Sequence, residues 1–311
     1  MTMTATTVPT RGLRRSRVAE RSPGEPRHVA YLYVLPGLAV FVAFVLLPLI
    51  HSGWISLFDW DGITVGQWVA LDNYKEVFTD PDLRASFLHA LVLLVFYSGL
   101  PVVIGLLLAA VMSRAPVRGL AAFRTVLFLP QVIALVVVAV IWRMIYAPDG
   151  GLINGALGAV GLDALEQNWL GDFTLALPAV GLIGTWVMYG LAMVLFTAGV
   201  QKIPQSLYDA ARVDGAGPVR EFFAVTLPGL RAEIAVALTL TTIAALRNFD
   251  LVYITTGGGP GDATSVPAYE VYQRAFQAGD VGGAAAVGVC LAAVIFALSF
   301  AINRFAERGA R

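Results

Sequence analysis

Residues 201–228 read QKIPQSLYDAARVDGAGPVREFFAVTLP, and this segment decides how the rest of the chain is read. It is polar and basic, it lies between two long apolar runs, and it carries its own start and stop signals. Pro204 and the pair Ser206–Asp209, a capping-box pattern with Asp in place of Glu or Gln, predict a short helix over 207–213. Asp214-Gly215 ends it, because Gly readily takes the left-handed conformation that follows many helices. Gly217-Pro218 opens a second helix, since proline is preorganised for the first helical position. That helix runs through Glu221, Phe222, Phe223 and Val225 toward Leu227-Pro228. The plain reading is a capped helical hairpin joining two apolar segments. Two features ask for more. Ala210 and Ala211 offer a flat surface that another protein can approach closely, and a shorter link would have joined the flanking segments.

Outward from this insert the chain is apolar. Hydrophobic residues make up 58% and charged residues 14%, against roughly 25% charged in soluble domains, and the mean hydropathy is +0.74. A membrane-crossing helix needs about 20 predominantly apolar residues. The windows 30–55, 86–112, 125–146, 175–200 and 281–302 meet that requirement, and a sixth, 234–253, is apolar but interrupted by Arg247 and Asp250. The predicted fold class is an all-α membrane protein: six transmembrane helices over 30–306, with 201–228 a loop between helices four and five. No sizeable soluble domain fits between spans so closely placed.

The net charge is zero, yet the cations are unevenly spread. Alternate loops collect Arg11, Arg14, Arg15, Arg17, Arg21 and Arg27, then Arg114, Arg118 and Arg124, then Lys202, Arg212, Arg220 and Arg231, then Arg304, Arg308 and Arg311. The opposite side holds Lys75, Arg84 and Arg274. The positive-inside rule therefore predicts cytoplasmic N- and C-termini, a cytoplasmic 201–228 loop and a multi-pass protein of the cell membrane. Residues 1–29 read as a disordered basic cytoplasmic tail. The 30–55 run is too long for a signal-peptide core and is expected to be retained. Cys290, the single cysteine, lies in the last span and reads as packing.

Enzyme chemistry is not expected. A phosphate-binding Walker loop needs Gly-Lys-Ser/Thr, and the two lysines, Lys75 and Lys202, lie in Tyr74-Lys75-Glu76 and Gln201-Lys202-Ile203. The Gly257-Gly258-Gly259-Pro260-Gly261 run has no following lysine and reads as a turn. His28, His51 and His89 are scattered, so no metal site and no catalytic residues are assigned.

The fifth span carries the polar chemistry. Arg247 and Asp250, three apart, are expected to share a helix face, either as a structural ion pair or on a transport path. Asn248, Phe249 and Tyr253 suit sugar chemistry better: an amide bonds hydroxyls, and aromatic faces stack on the apolar faces of sugar rings. In the fourth span, Gly184 and Gly190 are expected to admit close helix packing. Trp142, Tyr146, Trp54, Phe58 and Trp60 are read as interfacial belts.

These residues carry a resemblance. Asp209-Ala210-Ala211, Gly215 and Leu227-Pro228, flanked by Ile203-Pro204, Leu207-Tyr208 and Asp214-Gly215-Ala216, resemble the EAA loop of ATP-binding-cassette (ABC) importer permeases, with Asp209 one methylene shorter than the usual Glu. Asn248-Phe249-Asp250, Thr255-Thr256-Gly257-Gly258-Gly259-Pro260 and Thr264 resemble the outer signature of the maltose-type carbohydrate-uptake group. The resemblance runs from about residue 31 to the C-terminus. It implies that the first insert helix docks on a cytoplasmic ATPase through Asp209, Ala210 and Ala211, with Gly215 setting its angle. It implies substrate contacts near Asn248, Tyr253 and Phe249. It also implies a second homologous permease subunit and an extracytoplasmic sugar-binding protein, with ATP and Mg bound by the partner ATPase and no cofactor in this chain.

The leading expectation is a permease subunit of a sugar or oligosaccharide importer. Two alternatives remain: an importer of the same class for a solute such as a phosphorylated polyol, and a stand-alone ion-coupled carrier or channel using Arg247, Asp250 and Arg143 as a relay.

Overall fold

The computed structural model describes residues 27–114 and 119–308; the expected tail falls, up to residue 26, outside the described residues. The chain divides into two units, residues 1–50 and 51–311. The first apolar segment is helical over Tyr31–Ile55, with a π turn at Val42–Leu46. Most of its large side chains from Tyr31 to Ile50 are exposed, Val42 and Leu46 being half-buried, which leaves an apolar surface suited to lipid.

The second unit is built around long helices. Residues 81–114 form one, starting earlier than the 86 expected. Asp80 stands before it, its carboxylate accepting from the backbone N–H of Asp82 (2.8 Å) and Leu83 (3.1 Å), and Pro81 occupies the first turn. This helix comprises Pro81–Leu94, a π turn at Val95–Gly99, and Leu100–Arg114. Ala176–Val200 is the most buried of the membrane-length helices, and Val281–Arg308 closes the chain.

Two expected spans are not single helices. The 125–146 window is Leu120–Val132 followed by Leu135–Ile145, bent by 95°. Pro130 offers no N–H for a helical bond, and Ile133 and Ala134 then take extended ψ values of 135° and 132°. The 234–253 window is Arg231–Leu246, a non-helical joint at Arg247-Asn248-Phe249, and Asp250–Thr255. Pro218–Gly229 precedes it at a 70° bend. Among the described residues, four helices are long and apolar enough to cross a membrane, and up to six if each bent pair counts as one span.

The main core forms where helices 81–114, 135–145, 176–200 and 250–255 meet, and Leu93, Tyr97, Val138, Ile183, Val187 and Leu251 fill it. Glycines permit that approach. A Cβ on Gly184 would lie 2.0 Å from the Tyr97 ring, and one on Gly190 2.8 Å from the Leu127 carbonyl oxygen, so both glycines admit close contact as expected. Tyr146 departs from the belt reading. It is buried, its hydroxyl donates to the Ala179 carbonyl at 3.2 Å, and Trp142 packs between it and Trp186. A small hairpin pairs Phe58–Asp59 antiparallel with Gln67–Trp68, and Trp54, Phe58 and Trp68 cluster on it.

Candidate coupling surface and substrate path

The insert folds as a helical hairpin. Its first helix is Gln205–Val213, starting two residues earlier than the capping pattern predicted. Pro204, with ψ 131°, occupies the position before the helix, so Ser206 lies inside it and makes no cap bond. Gly215 has φ +74°, the left-handed joint expected, and Pro218 opens the second helix, Pro218–Glu221.

Polar contacts brace the hairpin. Arg212 Nη2 lies 3.3 Å from Oε1 of buried Glu221, and the Tyr208 hydroxyl lies 3.1 Å from Thr226 Oγ1. Asp209 Oδ1 accepts from Gln205 Nε2 and Arg212 Nη1, both at 3.4 Å. Contacts that long on an exposed carboxylate hold it weakly, so Asp209 keeps capacity for another partner. Ala210 is exposed and Ala211 half-buried. Leu207, Val213, Val219 and Phe223 are exposed beside them, an apolar surface larger than the two alanines alone. Behind the hairpin lies a cavity of about 1160 Å³, walled by Arg124, Thr197, Lys202, Tyr208 and Glu221 among others. Lys202 bridges Glu233 at 3.0 Å and ties the start of the insert to the next helix.

At the other polar locus the helix break decides the geometry. The expected shared face for Arg247 and Asp250 does not exist, because residues three apart meet only along a continuous helix. Both are exposed, and among the described residues no ion pair joins them. Arg143 Nη1 donates to the Ile254 backbone carbonyl at 3.3 Å, which ties helix 135–145 to the short helix after the joint.

Asn248 turns inward at the joint and is 6% exposed, while Tyr253 is 45% exposed. Phe249 and Tyr253 stack with centroids 5.1 Å apart and planes at 17°. Tyr272 meets Tyr253 edge-on at 5.2 Å and Phe249 at 5.3 Å, and Phe276 and Tyr269 extend the cluster. The structure therefore brings Asn248, Phe249 and Tyr253 to one joint and adds Tyr269, Tyr272 and Phe276, which the sequence reading passed over. Their spacing of three and four is an aromatic helical stripe that was there to be read.

A further missed residue is Tyr97, in the π turn of the 81–114 helix. Its hydroxyl lies beside the Asn248 amide, and neither the hydroxyl nor Asn248 Nδ2 has a hydrogen bond of full geometry. Nothing local marked it, since it is one aromatic inside a long apolar run. One residue on, Ser98 Oγ lies 2.7 Å from Thr241 Oγ1 and links the two helices.

The glycine-rich run is a folded turn, as read. Gly257, Gly258 and Gly261 have φ of +58°, +84° and +50°. Thr264 Oγ1 donates to the Gly259 carbonyl at 2.8 Å and touches Thr256 Oγ1 at 2.7 Å, and the Tyr269 hydroxyl donates to the Gly257 carbonyl at 2.7 Å. Nearby, Arg274 gathers Glu76 at 2.8 Å, Asp280 at 3.2 Å and Asp80 at 3.7 Å. Burial works to lower its pKa, but Glu76, Asp280 and Glu270 outweigh that and hold the guanidinium above its ordinary value. Among the described residues, no group of three or more His, Cys, Asp or Glu side chains is placed to hold a metal.

Membrane-length helices around a broken polar helix, with a braced hairpin exposed at the surface, are the parts of a membrane permease. Residues 101–311 match the family described as binding-protein-dependent transport system inner membrane component, and the chain belongs to that family. It is 38% identical over 287 residues to the probable ABC transporter permease protein YurN of Bacillus subtilis (strain 168), covering 90% of this chain and 97% of that one. It is 34% identical to the diacetylchitobiose uptake system permease protein NgcF of Streptomyces coelicolor (88% of this chain, 81% of that one). It is 33% identical to the sn-glycerol-3-phosphate transport system permease protein UgpA of Yersinia pestis (90% and 95%). A solved bacterial ABC transporter involved in import of the acidic polysaccharide alginate has the same fold, with a TM-score of 0.77 at 23% identity over 90% of this chain and 96% of that one. The protein is a multi-pass ABC permease subunit.

Proposed function

We propose that this permease moves a sugar or oligosaccharide into the cytoplasm by alternating access, driven by a separate ATPase. The observation that carries the reading is the joint at Arg247-Asn248-Phe249: a buried amide stands at the break in a membrane helix, and a stacked aromatic pair starts at the next residue. Asn248 supplies hydrogen bonds to hydroxyls, and Phe249 and Tyr253 supply a face for the sugar ring. The likeness to NgcF, a diacetylchitobiose permease, supports the same substrate class. Backbone irregularity at membrane depth is tolerated where it lines a cavity or is buried in protein. Asn248 is nearly inaccessible in this conformation, so substrate reaches it when the joint opens.

In this reading the bent segment 120–145 is one span and the broken segment 231–255 another, giving six with the four long helices, and the cation distribution puts both termini in the cytoplasm and the protein in the cell membrane. Residues 205–213 are the coupling helix, resting on a cytoplasmic ATP-binding subunit through Asp209, Ala210 and Ala211. Gly215 is the joint that transmits its tilt. A ligand or nucleotide shifts the inward- and outward-open states only by its different affinity for each, so the surface must bind the closed and open ATPase pair unequally. ATP and Mg belong to the ATPase, and this chain does no chemistry. A second homologous permease and an extracytoplasmic sugar-binding protein complete the assembly.

A second reading, import of a phosphorylated polyol, is favoured by the likeness to UgpA and by the exposed guanidinium of Arg247 next to Asn248. One assay separates them. The chain is reconstituted in proteoliposomes with its ATPase, second permease and binding protein, and ATP hydrolysis is measured against sugars and polyol phosphates. Stimulation by a neutral sugar, lost with Asn248→Ala, supports the proposal. Stimulation by polyol phosphates alone, lost with Arg247→Gln, overturns it in favour of the second. Uptake by the chain alone down an ion gradient overturns both.

A further inference from the structure

Apart from the joint and the hairpin, the second unit holds a groove of about 450 Å³ between helices 81–114 and Val281–Arg308. Phe87, Leu91, Leu246, Cys290 and Val294 line it, and Arg84 is the one charged residue among the described lining. Pro81–Ser113 is 33 residues long, roughly 50 Å at about 1.5 Å per residue, against a hydrocarbon core of about 30 Å. The helix therefore exceeds the hydrocarbon by roughly 20 Å, and the cost of a charge in hydrocarbon puts the end that carries Arg84, in the first turn, at headgroup level. Leu91 is two turns deeper, within the acyl region. Arg84 is exposed, and among the described residues its guanidinium has neither a hydrogen bond nor an ion pair. An arginine is a strong bidentate partner for phosphate.

A cation at headgroup level above an apolar slot is the complement of an anionic phospholipid. We infer that this groove binds one, its phosphate on Arg84 and an acyl chain on Phe87, Leu91, Cys290 and Val294. The site also bears on the transport joint. Leu246, at the groove floor, is buried and is the last residue of the helix that breaks at Arg247. A chain packed on Leu246 braces the end of that helix, so occupancy biases the opening of the Asn248 joint. Phosphatidylcholine offers the same phosphate, but its choline cation competes with the guanidinium for it, so the net-anionic lipid is held more tightly on Arg84, and without the guanidinium neither lipid is held in register.

Cys290 is the only cysteine in the chain, so it reports on the groove without further engineering. The complete transporter is placed in nanodiscs of phosphatidylcholine with or without phosphatidylglycerol. Modification of Cys290 by a small membrane-permeant thiol reagent is followed by mass spectrometry. Phosphatidylglycerol is expected to slow the reaction about tenfold, the ratio that a contact of roughly 1.4 kcal/mol gives. Arg84→Gln should abolish that protection and Arg84→Lys should keep part of it. Arg84→Gln transporter should also copurify with less phosphatidylglycerol from mild detergent. Equal rates in the two lipids, or protection that survives Arg84→Gln, overturn the assignment. Protection in both lipids that depends on the second permease overturns it too, by placing a partner helix in the groove. The readout is independent of which solute is carried.

Discussion

The Tyr97 hydroxyl and the Asn248 amide nitrogen lie side by side in the interior, 3% and 6% exposed as residues, and neither makes a full hydrogen bond. Buried polar groups are normally paired, and an unpaired one costs about 1–3 kcal/mol. The two groups sit on irregular backbone, Tyr97 in a π turn and Asn248 in the helix joint. Such turns are frequent at functional sites. On the proposed function, a substrate hydroxyl would supply the partner that both lack.

The first prediction follows from that pairing. Tyr97→Phe keeps the ring that packs on Gly184 and removes only the hydroxyl. Thermal stability in detergent should hold or rise, while solute-stimulated ATP hydrolysis falls about five- to tenfold, the worth of one hydrogen bond of roughly 1–1.5 kcal/mol. Asn248→Ala should have a similar effect, and the double variant should lose little more, since the groups act together. A loss of stability matching the loss of activity would make Tyr97 a packing residue.

Gly215 makes a different kind of prediction. An added Cβ there meets no atom within 4 Å, so its role is conformational, set by φ +74°. A β-branched side chain is strained in that region by about 1–2 kcal/mol or more, whereas Asn tolerates it. Gly215→Val should lower the ratio of solute transported to ATP hydrolysed with the protein still in the membrane, and Gly215→Asn should retain most coupling. Transport assays in proteoliposomes with parallel phosphate release check this. Equal behaviour of the two variants would mean that left-handed backbone at 215 is not what couples.

Asp172 carries a pH dependence. Its Oδ1 accepts from the Thr174 hydroxyl (2.6 Å) and from the Thr174 (2.8 Å) and Leu175 (2.9 Å) backbone N–H groups, just before helix Ala176–Val200. The Thr174 hydroxyl first, then the two N–H groups, lower its pKa below the ordinary 3.8. A carboxylate with a lowered folded-state pKa contributes its stability in full above 3.8 and loses it as pH falls through the folded value. The melting-temperature difference between wild type and Asp172→Ala should therefore be constant from neutral pH down to about 5 and vanish only in strong acid. A difference that disappears near neutrality would assign the effect to another group.

The sequence and the structure divide the account by locality. The insert was legible because its signals are local: Gly215 and Pro218 act through their own backbone constraints, and both stand where those constraints predict, with φ +74° at one and a first helical position at the other. Its start was misjudged. Pro204 sets the chain direction before the helix, and Ser206, expected as the cap, falls inside. Asn248, Phe249 and Tyr253 are conspicuous in an apolar run, and they stand at the helix break and in the short helix after it.

What composition and pattern alone determined is that the chain has membrane-length apolar helices and a polar helical insert between two of them. Those follow from transfer free energy and backbone preference, which each short segment expresses by itself. Only the tertiary structure decided where spans break: the 95° bend after Pro130 and the joint that separates Arg247 from Asp250. It alone brought Tyr97 beside Asn248 from a helix about 150 residues away in sequence and packed Tyr272 at a steep angle against Phe249 and Tyr253. The reason is physical. An apolar window favours burial of its side chains whether its helix is straight or broken, and the choice depends on which partners satisfy the freed backbone and fill the space beside Gly184.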